Sequence, residues 1–170
     1  MKSIVYLLMF LTLTSCRYFN VSPVNGITTK NLNQKPSSKD MVGLWEVDSY
    51  SYDLIRKRGY RNQKVVLEIK NDGTFEAKNL PDFINVSQKS YQKRIHTTGS
   101  WEIGKDFKGK KWVLYMSFKK SELYKNGMST SYDLYIQNDK LVIWYFIGDP
   151  DTGERFLFTK KQYPNDVMSN

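Results

Sequence analysis

Four kinds of residue in this 170-residue chain could do chemistry. The first is Cys16, the only cysteine, whose sulfur is a nucleophile and a site for covalent attachment. The second is the acidic run Asp149-Pro150-Asp151-Thr152-Gly153-Glu154. Its carboxylates suggest a calcium loop or an acid/base pair. Glycine arrives at the fifth position, however, and no distant bidentate Glu follows as an EF-hand needs, so a hairpin turn is expected there. The third is His96, the only histidine. With no Cys, His or carboxylate at ligand spacing it completes neither a metal site nor a nucleophile relay, and it falls on the polar side of an alternating stretch, facing water. The fourth is the basic cluster Arg56, Lys57, Arg58, Arg61 and Lys64, interrupted by Gly59 and Tyr60. Its guanidinium groups suit an anionic head group. The chain has no Gly-rich phosphate loop, Gly-x-Ser-x-Gly elbow or His-Glu-x-x-His, so it is not expected to be an enzyme or to need a cofactor or a metal.

The segment before Cys16 says where this chemistry would happen. One Lys near the start, an apolar run from Ile4 to Leu13 and small residues before the cysteine make residues 1–15 a secretory signal peptide, too short for a membrane-spanning helix. Leu13-Thr14-Ser15-Cys16 resembles a bacterial lipobox. The resemblance implies that a diacylglyceryl group joins the Cys16 sulfur, that the chain is cut before Cys16 and that the new amino terminus is acylated too. Several acyl chains, each burying CH₂ groups at about 0.8 kcal/mol apiece, anchor far more firmly than a single myristoyl. The expected partner is therefore a membrane, reached through the N-terminal lipid, and the expected address is the cell envelope. With Cys16 consumed no disulfide can form, and the fold must stand on its apolar core. An acidic run directly after the cysteine would resemble the surface-export signals of some bacterial lipoproteins. Arg17-Tyr18-Phe19-Asn20 has none, which points to the outer membrane, facing the periplasm.

Lys and Arg together number 26 against 17 Asp and Glu, a formal net charge of +9. Such a surplus favours an anionic envelope component, lipid headgroups among them, while nucleic acid is not expected for an exported lipoprotein. Residues 16–40 read as the lipidated N-terminus and a flexible tether, because Asn, Ser, Pro, Gly and Thr are mixed with no apolar period. A coil of that length would hold the following domain roughly 25 to 30 Å from the membrane. Residues 41–170 are long enough for one domain.

From Met41 aromatic and β-branched residues alternate with polar ones, and turn residues interrupt at short intervals, so the domain is expected to be β. Gly43-Leu44-Trp45-Glu46-Val47-Asp48-Ser49 puts Trp45 and Val47 on one face. Lys64 to Lys70 does the same with Val65, Leu67 and Ile69, and Asn71-Asp72-Gly73 turns the chain into Thr74-Phe75-Glu76-Ala77. Tyr91, Ile95, Gly99, Trp101 and Ile103 share an apolar face. Trp112, Leu114, Met116 and Phe118 share another, although Val113 and Tyr115 leave the opposite side far from polar. Tyr132 to Gln137 joins Lys140 to Ile147 through Asn138-Asp139, and that second strand is apolar on both faces, so it is buried twice, lines a site or carries aromatics on an outer surface. Arg155 to Lys160 is the last strand. About eight strands and no amphipathic helix are expected.

Short antiparallel strands with one apolar face each are best satisfied by closure, since a closed sheet leaves no open edge. The expected fold is all-β, an antiparallel up-and-down barrel of about eight strands, with a two-sheet β-sandwich as the alternative. Gly43-Leu44-Trp45 resembles the Gly-x-Trp opening of the lipocalin first strand, and Asn71-Asp72-Gly73-Thr74-Phe75 with Gly99-Ser100-Trp101-Glu102 is similar to bacterial lipocalin-like lipoproteins. The resemblance makes Gly43, Trp45 and Trp101 structural anchors of the barrel and implies a basic residue packed on Trp45, for which Arg155 is the candidate. It also implies that the connection after the first strand lies at an open mouth. Arg56, Arg58, Tyr60 and Arg61 could there form a lid over a small amphipathic ligand, with Trp112 and Trp144 as aromatic members of the same candidate site. The alternative is a filled core in an envelope protein that docks a protein or polysaccharide through surface aromatics and basic loops.

Overall fold

The computed structural model describes residues 28–61, 63–82, 93–120, 126–148 and 153–162. Eight antiparallel strands close into a barrel. They are β2 (Gly43–Val47), β3 (Val66–Ile69), β4 (Thr74–Pro81), β5 (Arg94–Lys105), β6 (Trp112–Phe118), β7 (Met128–Gln137), β8 (Lys140–Phe146) and β9 (Arg155–Lys160). Each pairs with the next, and β2 pairs with β9 through Trp45 opposite Lys160 and Val47 opposite Phe158, which seals the sheet. A two-residue strand, β1 (Lys30–Asn31), lies on β7 just past the place where β6 begins. The up-and-down barrel expected from the alternation is the fold, and the sandwich is excluded.

Two helices depart from the sequence reading. Helix α1 (Ser38–Met41) is set by a capping box in which Ser37 and Asp40 satisfy each other's backbone N–H groups. Within the segment expected to be a tether, residues 30–31 and 38–40 thus have regular structure. Helix α2 (Ser49–Lys57) occupies the connection after β2, where a loop was expected. Asp48 caps it, its Oδ1 accepting from the Ser51 N–H at 2.9 Å. The helix went unread because only Leu54 and Ile55 among its apolar residues are buried; Ser51, the third inward position, is small and polar. Ser51 Oγ accepts the Leu157 N–H at 3.0 Å, so this polar residue continues the β2–β9 seam onto the helix.

By the meander, α2 and the long connections lie at one end of the barrel. The tight turns at residues 70–74, 105–112 and 137–140 lie at the other, with α1 and the last residues of β9. Inside, Trp45, Phe75, Leu114, Met116, Leu134, Ile143, Phe156 and Phe158 are each less than 2 % exposed. Trp45 is anchored by its indole N–H, which donates to the Met41 carbonyl at 2.7 Å. A void bounded by Leu67, Ala77, Leu80, Met116, Phe118, Tyr132 and Phe158 measures about 10 Å³. That is close to the least volume that admits one water, so along these residues the interior is filled by side chains. Gly99 makes this packing possible, since a Cβ there would lie 2.0 Å from the Ser117 carbonyl oxygen and 2.7 Å from the Phe75 ring.

Candidate functional site

The expected lid residues are placed at the α2 end, where carboxylates engage Arg56, Arg58 and Tyr60. Arg56, on the last turn of α2, pairs with Asp53, and Arg58, the C-cap, pairs with Glu154. Tyr60 is buried and its hydroxyl donates to Asp82, which is itself buried. Arg94 lies over the Tyr60 ring at 5.3 Å and donates to the carbonyls of Asn79 at 2.9 Å and of Arg61. Burial lowers the pKa of Arg94, against the pull of Tyr60 and Tyr52. Tyr52 accepts the Val65 N–H at 3.2 Å and ties the helix to the entry of β3. Arg56 also borders a shallow depression of about 460 Å³ with Ser49, Tyr52, Asp53 and Lys64.

Trp112 and Trp144 do not join that set. Trp112 opens β6 at the opposite end, with the Lys105 ammonium 4.0 Å from its ring. Trp144 is on the outer wall, buried with Val142 and Leu157 and flanked by Tyr135 and Phe146, so the doubly apolar β8 is buried on both sides. Arg155, expected on Trp45, stacks instead on Trp144 at 4.8 Å and Tyr50 at 4.6 Å, and donates to Asp48 Oδ2 at 2.9 Å. The reason is parity along the strand. Arg155 alternates with the inward Phe156 and Phe158, so it points outward, while Lys160 sits opposite Trp45. Lys160 is thus the basic residue beside the first-strand tryptophan. Gly43, the other expected anchor, has φ +137°, and a Cβ there would lie 2.9 Å from Lys160 Cε. Trp101 donates its indole N–H to the Lys70 carbonyl at 2.9 Å, clasping a turn.

His96 is exposed on β5 as expected, 3.7 Å from Glu76. Among the described residues no group of three or more His, Cys, Asp or Glu could hold a metal. No helix of the described residues is long and apolar enough to cross a membrane. Cys16 and the acidic residues Asp149 and Asp151 lie outside the described residues.

A recess lies at the tight-turn end. A groove of about 850 Å³ runs between the segment before α1, the β7–β8 turn and the end of β9. Lys35, Lys39, Lys140, Lys160 and Lys161 line it against Asp40 and Asp139, and Leu32, Pro36, Ile136 and Leu141 give it an apolar floor. Lys160 is fixed by donating to the carbonyls of Lys39 and Asp40, each at 3.0 Å, and desolvation lowers its pKa against the pull of Asp40. Lys161 is held 3.3 Å from Glu46, which also meets Lys64 at 2.8 Å. Lys35, Lys39 and Lys140 have no carboxylate partner among the described residues. Cationic rim and apolar floor together suit an anion with an apolar portion. Sequence reasoning missed this site because its lysines come from three separated segments; the tether reading hid Lys35 and Lys39.

No family model matches this chain, and no curated protein or solved structure matches it either.

Proposed function

We propose that this is a lipid-anchored protein of the cell envelope whose barrel is a filled scaffold, and that it binds an anionic envelope component through the lysine-lined groove at the tight-turn end. The observation that carries this reading is the interior. Side chains less than 2 % exposed fill it, and the central void is far below the roughly 300 Å³ at which ligand pockets begin. The lipocalin-like likeness is then one of architecture, with binding moved from the inside to the outside. The groove combines a volume of about 850 Å³, an apolar floor and three lysines with no carboxylate partner among the described residues. The reading assigns the chain no catalytic step.

Two measurements test it. A chain whose residues 1–15 are replaced by a cleavable signal peptide and which carries Cys16→Ser should be released from membranes by a high-salt wash, while the wild type stays. Retention of that variant after the wash removes the lipid anchor from the account. Native mass spectrometry of the wild-type protein purified from the envelope should show no small apolar molecule travelling with it. A co-purifying apolar ligand whose release alters the barrel's tryptophan emission would restore an interior carrier.

A further inference from the structure

We propose that the tight-turn end of the barrel is a bilayer-docking face, on which Phe107 enters the headgroup region of an anionic membrane while the surrounding lysines engage lipid phosphates. This rests on the reading above and names the bilayer surface as the anionic partner of the groove.

Three observations carry it. Phe107 is 92 % exposed at the tip of the β5–β6 turn, with Lys105, Lys108, Lys110 and Lys111 around it, and Lys108 holds its ammonium 5.2 Å from the ring. A phenyl ring on a turn tip contributes nothing to the core, whereas aromatic side chains are stabilised at the level of lipid headgroups. The second observation is where charge is left free. Lys35, Lys39 and Lys140 gather at the groove with no carboxylate partner among the described residues, beside the fixed Lys160. Lysine, a compact charge on a flexible stem, suits phosphates presented on a fluid surface better than the planar arginine fork.

The third is the direction of the chain. Strand β1 runs antiparallel to β7, with Asn31 opposite Tyr135 and Lys30 opposite Ile136. Going back along the chain, β1 therefore runs toward the Asn138-Asp139 turn, on the same side as the groove. Twelve peptide steps separate Cys16 from Thr28, a reach of at most about 40 Å. Anchor and lysines thus address one leaflet. Its surface potential decays within about 8 to 10 Å, so the lysines act only if this face lies against the headgroups.

The test uses residues 16–170 with Cys16→Ser, which contain every strand and helix given above and carry no lipid. Flotation with phosphatidylcholine vesicles, with and without phosphatidylglycerol, should show binding only to the anionic vesicles, and high salt should abolish it. Lys35→Gln, Lys39→Gln, Lys108→Gln and Lys110→Gln combined should weaken partitioning by roughly 600-fold, at roughly fivefold per lysine. Phe107→Ser alone should weaken it on the order of tenfold. Lys57→Gln, Lys119→Gln and Lys120→Gln combined, at the opposite end, should change it less than fivefold. Thermal unfolding of each variant checks that the fold is kept. Independently of the lysine variants, Phe107→Cys in this cysteine-free background carries a polarity-sensitive dye whose emission should shift to the blue on anionic vesicles, while a dye at Lys120→Cys should not respond. Equal losses from both lysine sets, equal binding to neutral vesicles, or a silent dye at position 107 would overturn the proposal. So would full competition by free glycerol phosphate, which would make the groove a small-anion site. Each of these failures leaves the Cys16 anchor untouched, because the chain tested has none.

Discussion

Trp45 and Asp48, three residues apart, hold the fold in different ways. Trp45 is fully buried, and Trp45→Ala should cost about 3 to 5 kcal/mol in urea unfolding, the range for emptying a core aromatic position. Asp48 has two tasks, with one carboxylate oxygen capping α2 and the other meeting Arg155, a guanidinium only 5 % exposed. A lost cap costs about 1 kcal/mol, whereas stranding a buried charge costs about 3 to 5, so Asp48→Ala should lose about 3 kcal/mol or more. Combining it with Arg155→Met should recover part of that, and a double-mutant cycle measures how much. Trp45 could be read from the sequence because alternation places it. Arg155 could not be paired correctly, because the choice between Arg155 and Lys160 turns on strand register, and register is fixed only when β2 and β9 meet across the seam.

At the scale of elements, the strands were legible wherever polar and apolar residues alternate, as in β5, and the hairpins wherever turn chemistry is explicit. Asn138 and Asp139 have φ of 49° and 58°, the left-handed geometry a two-residue hairpin needs. Helix α2 was not legible, because it has only nine residues and its inward face is Ser51, Leu54 and Ile55, two apolar positions and a polar one, too few to show a period. The groove was hidden for a related reason: no single element contains it. Two glycines separate steric from conformational demand in these ladders. Gly99→Ala would drive a methyl group into the Ser117 carbonyl and should cost about 3 kcal/mol or more, at the upper end for overpacking. Gly73, at φ +79°, has nothing within 4 Å of a Cβ, so Gly73→Ala should cost only about 1 to 2 kcal/mol of backbone strain. Chemical denaturation of the two variants side by side checks the contrast.

For the whole molecule, the excess of positive charge sets the response to acid. Hydrogen bonds and nearby lysines hold several carboxylates below their ordinary values. The Ser37 side chain does so first for Asp40, Lys64 for Glu46 and Lys78 for Glu76, against partial desolvation in each case. A carboxylate whose pKa is lower folded than unfolded contributes its stability above the unfolded value and loses it as pH falls through the folded one. Stability should therefore be level at neutral pH and begin to fall as pH drops toward the ordinary values of 4.5 for Glu and 3.8 for Asp. The fall should continue below them, as self-repulsion among the lysines grows unopposed. Urea midpoints measured from pH 7 to pH 3 check this. A midpoint that rises on acidification would contradict the pairings.

The seam between β2 and β9 also governs when the barrel can form. Every other ladder of the barrel joins strands consecutive in the chain, and hairpins of that kind form in roughly 1 to 10 μs. The seam alone brings Trp45 to Lys160, and the entropy of closing so long a loop must be met before any contact across it returns stability. Among the described strands, β9 is also the last to leave the ribosome. Until it emerges, β2 and β8 have no neighbour along one edge, and a growing polypeptide is held as a string of open hairpins. Such a delay keeps the barrel open until β9 has emerged, so the order of strands acts as a timer on folding.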